Sequence, residues 1–449
     1  MAKPRSEWRC QQCGHAAPKW LGRCPECGEF ATFVEEAVAA TAPGASAHAG
    51  SPRTVTLLSD VTVAPEDRFS TGIAEFDSVL GGGLVRGSVV LIGGEPGIGK
   101  STLLLQAAGS LGAAGMRVLY VCGEESPRQV RARADRVGAS AGISLLPEVD
   151  AAAIEATVLA ERPHVVIVDS IQTLFDPGLD GVPGSVGQVR ATAARLVRLA
   201  KTHDVTLIVV GHVTKEGSIA GPRVLEHVVD TVLYFEGDAD HAFRIVRAAK
   251  NRFGSVSEIG IFEMGEDGLA EVGQPSGALL AERSTGVPGS VIMATMEGSR
   301  PLLVELQVLV TPSYLQMPRR LAVGVDTARL LQVLAVLERR AEMPLGSFDV
   351  YVSVAGGVRV NEPAVDLPLA LALASARHDR PLPHDAVVFG ELGLTGEVRR
   401  VPHAGARLKE AARMGFAQAI CPSGGEGGGA PLRVDVVRTL AAAIDAAGA

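Results

Sequence analysis

Aromatic side chains are scarce here: two Trp, four Tyr and twelve Phe among 449 residues. That argues against a nucleic-acid reader built mainly on base stacking, which needs a succession of exposed rings. Positive charge is not in excess either. The 42 Lys and Arg face 50 Asp and Glu, a net charge of −8, which excludes a uniformly basic DNA coat but not local basic strips. No apolar run approaches the roughly eighteen residues of a membrane span. The amino terminus, MAKPRSEWRC, carries no apolar signal core, so a cytosolic location is expected. With 47% hydrophobic and 20% charged residues, wholesale disorder is excluded, and the length calls for two or three domains.

Cysteine is almost absent beyond the first 27 residues, where four of the six are concentrated. They form two knuckles, Cys10-Gln-Gln-Cys13 and Cys24-Pro-Glu-Cys27, with ten residues between them. In a reducing compartment this spacing speaks for thiolate ligation of one Zn²⁺ rather than disulfides. Gly14 and Gly28 follow the second cysteine of each knuckle, where a tight turn favours a residue without Cβ. Four cysteine ligands leave no open coordination position, so the expected metal is structural and supplies the folding energy of a small module. Cys122 and Cys421 lie in the apolar runs VLYVC and AQAIC and read as inert core thiols. An Ala/Gly/Pro/Ser-rich stretch after the module reads as a flexible tether.

The strand-like run Val89–Gly94 leads directly into Gly94, Glu95, Pro96, Gly97, Ile98, Gly99, Lys100, Ser101 and Thr102, and an amphipathic helix to about Leu111 follows. Strand, G-x-x-x-x-G-K-[ST] and helix in that order point to a nucleoside-triphosphate site. Backbone N–H groups converge on the β-phosphate at a helix N-terminus, Lys100 reaches the β- and γ-phosphates, and the Ser101 hydroxyl ligates Mg²⁺. HVVIVDS ends in Asp169, the expected carboxylate of the Mg²⁺ shell. VLYVCGEES places Glu124 and Glu125 just past another strand. Glu124 is the favoured water-activating base, with Glu125 left open by spacing alone. Further strands at Val205–Val210, Thr231–Phe235 and Phe243–Ala248, with a helix over Val186–Thr202, imply a mostly parallel α/β sheet.

Local basic strips do exist. The run VTLIVV opens into GHVTKEGSIAGPRVLEH, where His212 could sense phosphate state and the glycine-rich loop carries Lys215 and Arg223. Downstream, Lys250-Asn-Arg252-Phe-Gly254 holds two cations that could complete a neighbour's nucleotide site, as arginine fingers do, or hold DNA phosphates.

Together these motifs resemble the bacterial RadA (Sms) family of DNA-repair proteins. The likeness covers nearly the whole chain: the four-cysteine finger, STGIAEFDSVLGGGLVRGS before GGEPGIGKST, GEES, VDSIQT, GHVTKEGSIAGPRVLEH and KNRFG. It implies a RecA-like P-loop ATPase core similar to the hexameric replicative helicases. ATP and Mg²⁺ would sit on Gly94–Ser101 with Asp169 behind. The family's KNRFG function would fall on Lys250 and Arg252, and the DNA-facing loop on Thr214–Arg223. The family further implies a homo-oligomeric, hexameric ring acting as a motor on single-stranded and branched DNA, driving branch migration together with the RecA recombinase.

The carboxy-terminal stretch DVYVSVAGGVRVNEPAVDLPLALALASAR resembles the peptidase domain of Lon. There a nucleophilic serine follows a proline; here Pro363 is followed by Ala364, and a methyl group cannot attack a carbonyl. The partner-lysine position falls on Arg407, which does not deprotonate to act as a base; Lys409 lies nearby. An ATP-dependent peptidase is therefore the weaker reading, and a DNA-binding ATPase scaffold without translocation is the stronger alternative to the motor. The expected layout is a zinc finger over 1–34, a tether over 35–58, the ATPase core over 59–272 with KNRFG at 250–254, and a catalytically inactive α+β Lon-protease-like domain over 275–449, most Lon-like over 347–449.

Overall fold

The computed structural model describes residues 5–10, 15–26, 28–30, 32–38, 68–139, 141–212, 225–237, 243–422 and 432–449. The tether from residue 39 onward and the loop carrying Lys215 and Arg223 lie outside the described residues, as do Cys13 and Cys27. The chain divides into two compact units, the second made up mainly of Val272–Ala449. Among the described residues no helix is long and apolar enough to cross a membrane.

Arg5–Cys10 lies between Ala16–Ala17 and Phe33–Val38 in a three-stranded antiparallel sheet. Its last strand takes in the first residues of the expected tether, Glu35 to Val38, because they pair along the whole of Arg5–Trp8. The larger part of the first unit is a nine-stranded sheet. Its order is Gly268–Glu271, Ile259–Gly265, Phe243–Asn251, Thr231–Glu236, Val89–Gly94, Thr206–His212, Val165–Asp169, Val118–Cys122 and Ile143–Leu146. The last six strands in that order run parallel, and Phe243–Asn251 turns the sheet antiparallel.

The continuous apolar runs VVLIGG, VLYVC and VVIVD become central strands because both faces of a parallel sheet are covered. Alternate residues then feed two cores. Val90, Ile92, Tyr120 and Ile167 pack with the helix Lys100–Ala113. Val89, Leu91, Val121 and Val168 pack with the helices Ala151–Glu161 and Val186–His203. The first of these helices starts at Lys100 rather than Thr102, so Lys100 and Ser101 occupy its first turn. Gly99, at φ 118°, makes that start possible; a Cβ there would stand 2.8 Å from the Met264 methyl. The strand expected to end at Ala248 continues to Asn251, which brings the beginning of KNRFG into the sheet.

The second unit is a mixed seven-stranded sheet in the order Arg320–Val323, Phe348–Val354, Arg300–Pro312, Ser290–Glu297, Ala386–Val388, Gln418–Cys421 and Arg433–Val436. The helix Asp366–His378 is buried along residues 366–375, as its run of Leu and Ala requires. Asp326 caps the helix Thr327–Arg340 by accepting the Ala328 N–H.

Arg407 is fully buried. It donates to both carboxylate oxygens of Glu362 and, through Nε, to the Pro402 carbonyl at 3.2 Å. Its guanidinium also faces the Phe389 ring, 5.7 Å from the centroid. Burial by itself would raise the Glu362 carboxyl, but the Arg407 hydrogen bonds and charge outweigh it and hold the group below its usual value. Removing the guanidinium would leave Glu362 partly buried with only the Thr295 hydroxyl and the Met296 N–H to hold its charge, at a cost of about 3 kcal/mol. Arg407→Ala should therefore lower the melting temperature of the second unit by several degrees, measured calorimetrically on the full chain, while Lys409→Ala, at an exposed position, should leave it in place.

Candidate functional site

The phosphate loop, the GEES turn and the end of the Asp169 strand meet at the carboxyl edge of the parallel strands, where α/β sheets bind ligands. They line a cleft of about 500 Å³ with Pro96, Gly97, Gly99, Lys100, Ser101, Thr102, Glu124, Glu125 and Asp169 on its walls. Lys100 is buried and donates to the Gly94 and Glu95 carbonyls, each at 2.8 Å. Its ammonium is pushed down to about 8 by burial, against the opposing pull of Asp169, Glu124 and Glu95. A cation desolvated in this way gains most from an anion brought within reach. The lysine, the hydroxyl of Ser101 and the carboxylates across the cleft make a donor set that fits a Mg²⁺–triphosphate.

Asp169 is buried and accepts a 2.6 Å hydrogen bond from the Tyr120 hydroxyl. Burial first, then the Asp169 charge, keep that phenol protonated far above its usual value, so it remains a donor and fixes the carboxylate's orientation. The two glutamates of GEES differ in their partners. Glu125 is engaged by Arg133, whereas Glu124 receives the Ser170 hydroxyl and lies close enough to Lys100 to act on its charge. Cys122 lines the cleft as well. Burial pushes its thiol up, in keeping with an inert role.

Tyr120, Arg133 and Arg136 also line the cleft and were not singled out from the sequence. Tyr120 sits inside an apolar strand, where it reads as core. The two arginines lie at the end of the helix Pro127–Arg136, where they read as a solvated face. The only signal was their spacing after GEES.

Lys250 and Arg252 are not brought to this cleft. Lys250 pairs in register with Val232, and Val232 with Leu91, three residues before Gly94. KNRFG thus lies toward the opposite end of the sheet from the phosphate loop. Lys250 Nζ donates to the carbonyls of Glu226 at 2.6 Å and Val229 at 2.8 Å. Arg252 Nη1 lies 3.2 Å from Asp230, a buried carboxylate that also accepts the Val89 N–H at 2.9 Å and the Lys201 ammonium. Asn251 donates to the Val79 carbonyl, and Gly254 approaches Gly81 so closely that a Cβ would meet its Cα at 2.8 Å. His212 ends its strand in register with Gly94.

In the amino-terminal module, Cys10 and Cys24 are both buried, in one small cluster with Ala17 and Phe33. Each donates its N–H to the carbonyl five residues on, Cys10 to His15 at 2.9 Å and Cys24 to Glu29 at 2.8 Å. Gly28 stands at φ 78° and closes the second turn by donating to the Cys24 carbonyl at 2.9 Å. The same N–H to carbonyl closure at two buried first cysteines fits a metal knuckle pair. In the second unit, Ala364 is buried in the core, in the same cluster as Phe389 and Leu408, and Pro363 begins the short turn before the helix Asp366–His378.

The glutamates can be separated by amide substitution. Glu124→Gln is expected to lower kcat for nucleotide hydrolysis by about 100-fold or more with nucleotide binding retained. Glu125→Gln should stay within a few-fold of the wild type, because it loses only a partly exposed ion pair. Steady-state hydrolysis and equilibrium binding of each variant check the pair.

Three family models match this chain: an AAA domain over residues 52–218, a rubredoxin metal binding domain over 8–35, and subunit ChlI of Mg-chelatase over 328–425. The chain is 50% identical to the DNA repair protein RadA of Bacillus subtilis, covering 97% of each chain. It is 51% identical to the DNA repair protein RadA of Pseudomonas aeruginosa, covering 99% of each. Among solved structures it is similar to a KaiC-like protein from Pyrococcus horikoshii, at 24% identity over 46% of this chain and 100% of that one, with a TM-score of 0.39. Near-full-length identity of this order, together with a P-loop ATPase core, an amino-terminal metal-binding ribbon and a ChlI-like carboxy-terminal domain, means that the chain belongs to the RadA family of DNA repair proteins.

Proposed function

We propose that this protein is an ATP-driven motor that binds single-stranded DNA and promotes branch migration of recombination intermediates alongside the RecA recombinase, working in the cytoplasm as a homo-oligomeric, hexameric ring. The observation that carries this reading is the division of charge between the two ends of the sheet. Lys100, Asp169 and Glu124 line one cleft at the carboxyl edge, whereas Lys250 and Arg252 are anchored toward the opposite end. Cations so placed reach a nucleotide only by belonging to a neighbouring chain, which makes hydrolysis a property of the ring.

Within this reading Lys100 and the Gly94–Thr102 backbone hold the triphosphate, and Ser101 and Asp169 would hold Mg²⁺, which would supply charge neutralisation on the phosphates. Glu124 accepts the proton of the attacking water, with its position set by Ser170. Lys215 and Arg223, on the loop leaving His212, contact DNA phosphates. The metal of Cys10, Cys13, Cys24 and Cys27 is Zn²⁺ in a structural role. The carboxy-terminal unit is not a protease, since Ala364 offers no nucleophile and Arg407 is committed to Glu362; it serves assembly. A scaffold that binds DNA without moving along it is the alternative, and it differs in what ATP accomplishes.

A branch-migration assay scored for ATP dependence and direction separates the two. The wild type should convert branched substrates only with ATP, and Lys100→Ala should be inert. Mixing Lys100→Ala with Lys250→Ala chains should restore part of the hydrolysis at composite sites. Hydrolysis without any strand movement would favour the scaffold, and proven co-assembly without rescue would remove Lys250 from the neighbour's site.

A further inference from the structure

An amide without a partner among the described residues stands three residues beyond Asp169. Gln172 lies in the short turn Ile171–Thr173, between Ile171 and Leu174, both of which are fully buried. Its Nε2 and Oε1 are shielded from solvent and have no hydrogen-bond partner among the described residues. Burying such a group unpaired forfeits its hydration with nothing in return, so each instance in a folded protein calls for a reason. A methionine of similar length would occupy the place without that penalty.

The surroundings suggest what the penalty serves. The turn packs against the strand Thr206–His212 and the helix Val186–His203. On its other side it holds the hydrolytic machinery. The Ser170 hydroxyl donates to Glu124. Thr173 Oγ1 donates to the Ser170 carbonyl at 2.8 Å and lies so near Gly123, at the GEES turn, that a Cβ there would come within 2.2 Å of it. The Gly123 N–H in turn donates to the Asp169 carbonyl at 3.0 Å. Ile171–Thr173 therefore joins Asp169, Ser170 and Glu124 to the strand that ends at His212.

We propose that Gln172 is a positioning residue that couples DNA to hydrolysis. Its amide is unsatisfied while DNA is absent and gains hydrogen bonds when DNA binding shifts the Gly211–His212 end of its neighbouring strand. The turn then settles Ser170, and through it Glu124, into the hydrolytic arrangement. This rests on the DNA-dependent ATPase reading above and adds to it the element that senses occupancy. An unpaired amide stores the preference for the DNA-bound state as a local instability of the free one, the usual exchange of stability for function.

The test uses the full-length wild type and Gln172→Met. Melting is measured without DNA, and ATP turnover with and without single-stranded DNA. The variant should melt roughly 2–4 °C higher, and the ratio of turnover with DNA to turnover without should fall about tenfold. A purely structural glutamine would instead give a lower melting temperature and an unchanged ratio. A variant that melts no higher than the wild type, or that DNA stimulates as strongly, overturns the proposal. A wild type that DNA does not stimulate overturns the DNA-dependent reading itself, and the coupling with it.

Discussion

The structure turns on one desolvated ammonium. Lys100 is enclosed at the first turn of a helix, beside two main-chain carbonyls and within the field of Asp169, Glu124 and Glu95. Burial depresses its pKa, so the fold carries a cost there that phosphate charge relieves. Other features of the first unit serve that placement. Two apolar layers clamp the central strands, Gly99 lets the helix begin at the lysine, and Tyr120 holds Asp169 across the cleft.

The same sheet separates the two charged regions by its length. KNRFG is tied down by long-range contacts: Lys250 to the carbonyls of Glu226 and Val229, Arg252 to Asp230, and Gly254 against Gly81. Such anchoring gives cations a defined direction without directing them at their own chain's phosphates. Rigid placement on a strand end is also what a site shared between chains requires, since a misplacement of about 1 Å can cost 100-fold in rate.

How much of this was legible in the sequence depended on how local each signal was. The phosphate loop could be read because its glycines, lysine and serine are consecutive, and Asp169 because an apolar strand ends on it. The difference in partners between Glu124 and Glu125 could not be read from spacing. It depends on Arg133, eight residues beyond Glu125 on a helix whose start is set by the Ser126–Gln129 capping box. Asp230 was not legible either: its partners are Val89, Lys201 and Arg252, and nothing in the pattern around residue 230 announces them. Tyr120 shows the same limit from the other side, since a hydroxyl within an apolar run declares its partner only once the neighbouring strand is in place. In the second unit the alanine after Pro363 was plain in the sequence, but the burial of Arg407 against Glu362 emerged only from tertiary packing.

The central claim concerns the charge of Lys100 when phosphate arrives. With burial lowering the ammonium to about 8, part of the population holds a neutral lysine at pH 9, and binding a fully ionised triphosphate should restore the proton. Calorimetric titration of Mg²⁺–nucleotide at pH 9, in buffers of different ionisation enthalpy, measures that proton directly. The account predicts net proton uptake on binding in the wild type and none in Lys100→Met. Binding without proton uptake in the wild type would contradict it.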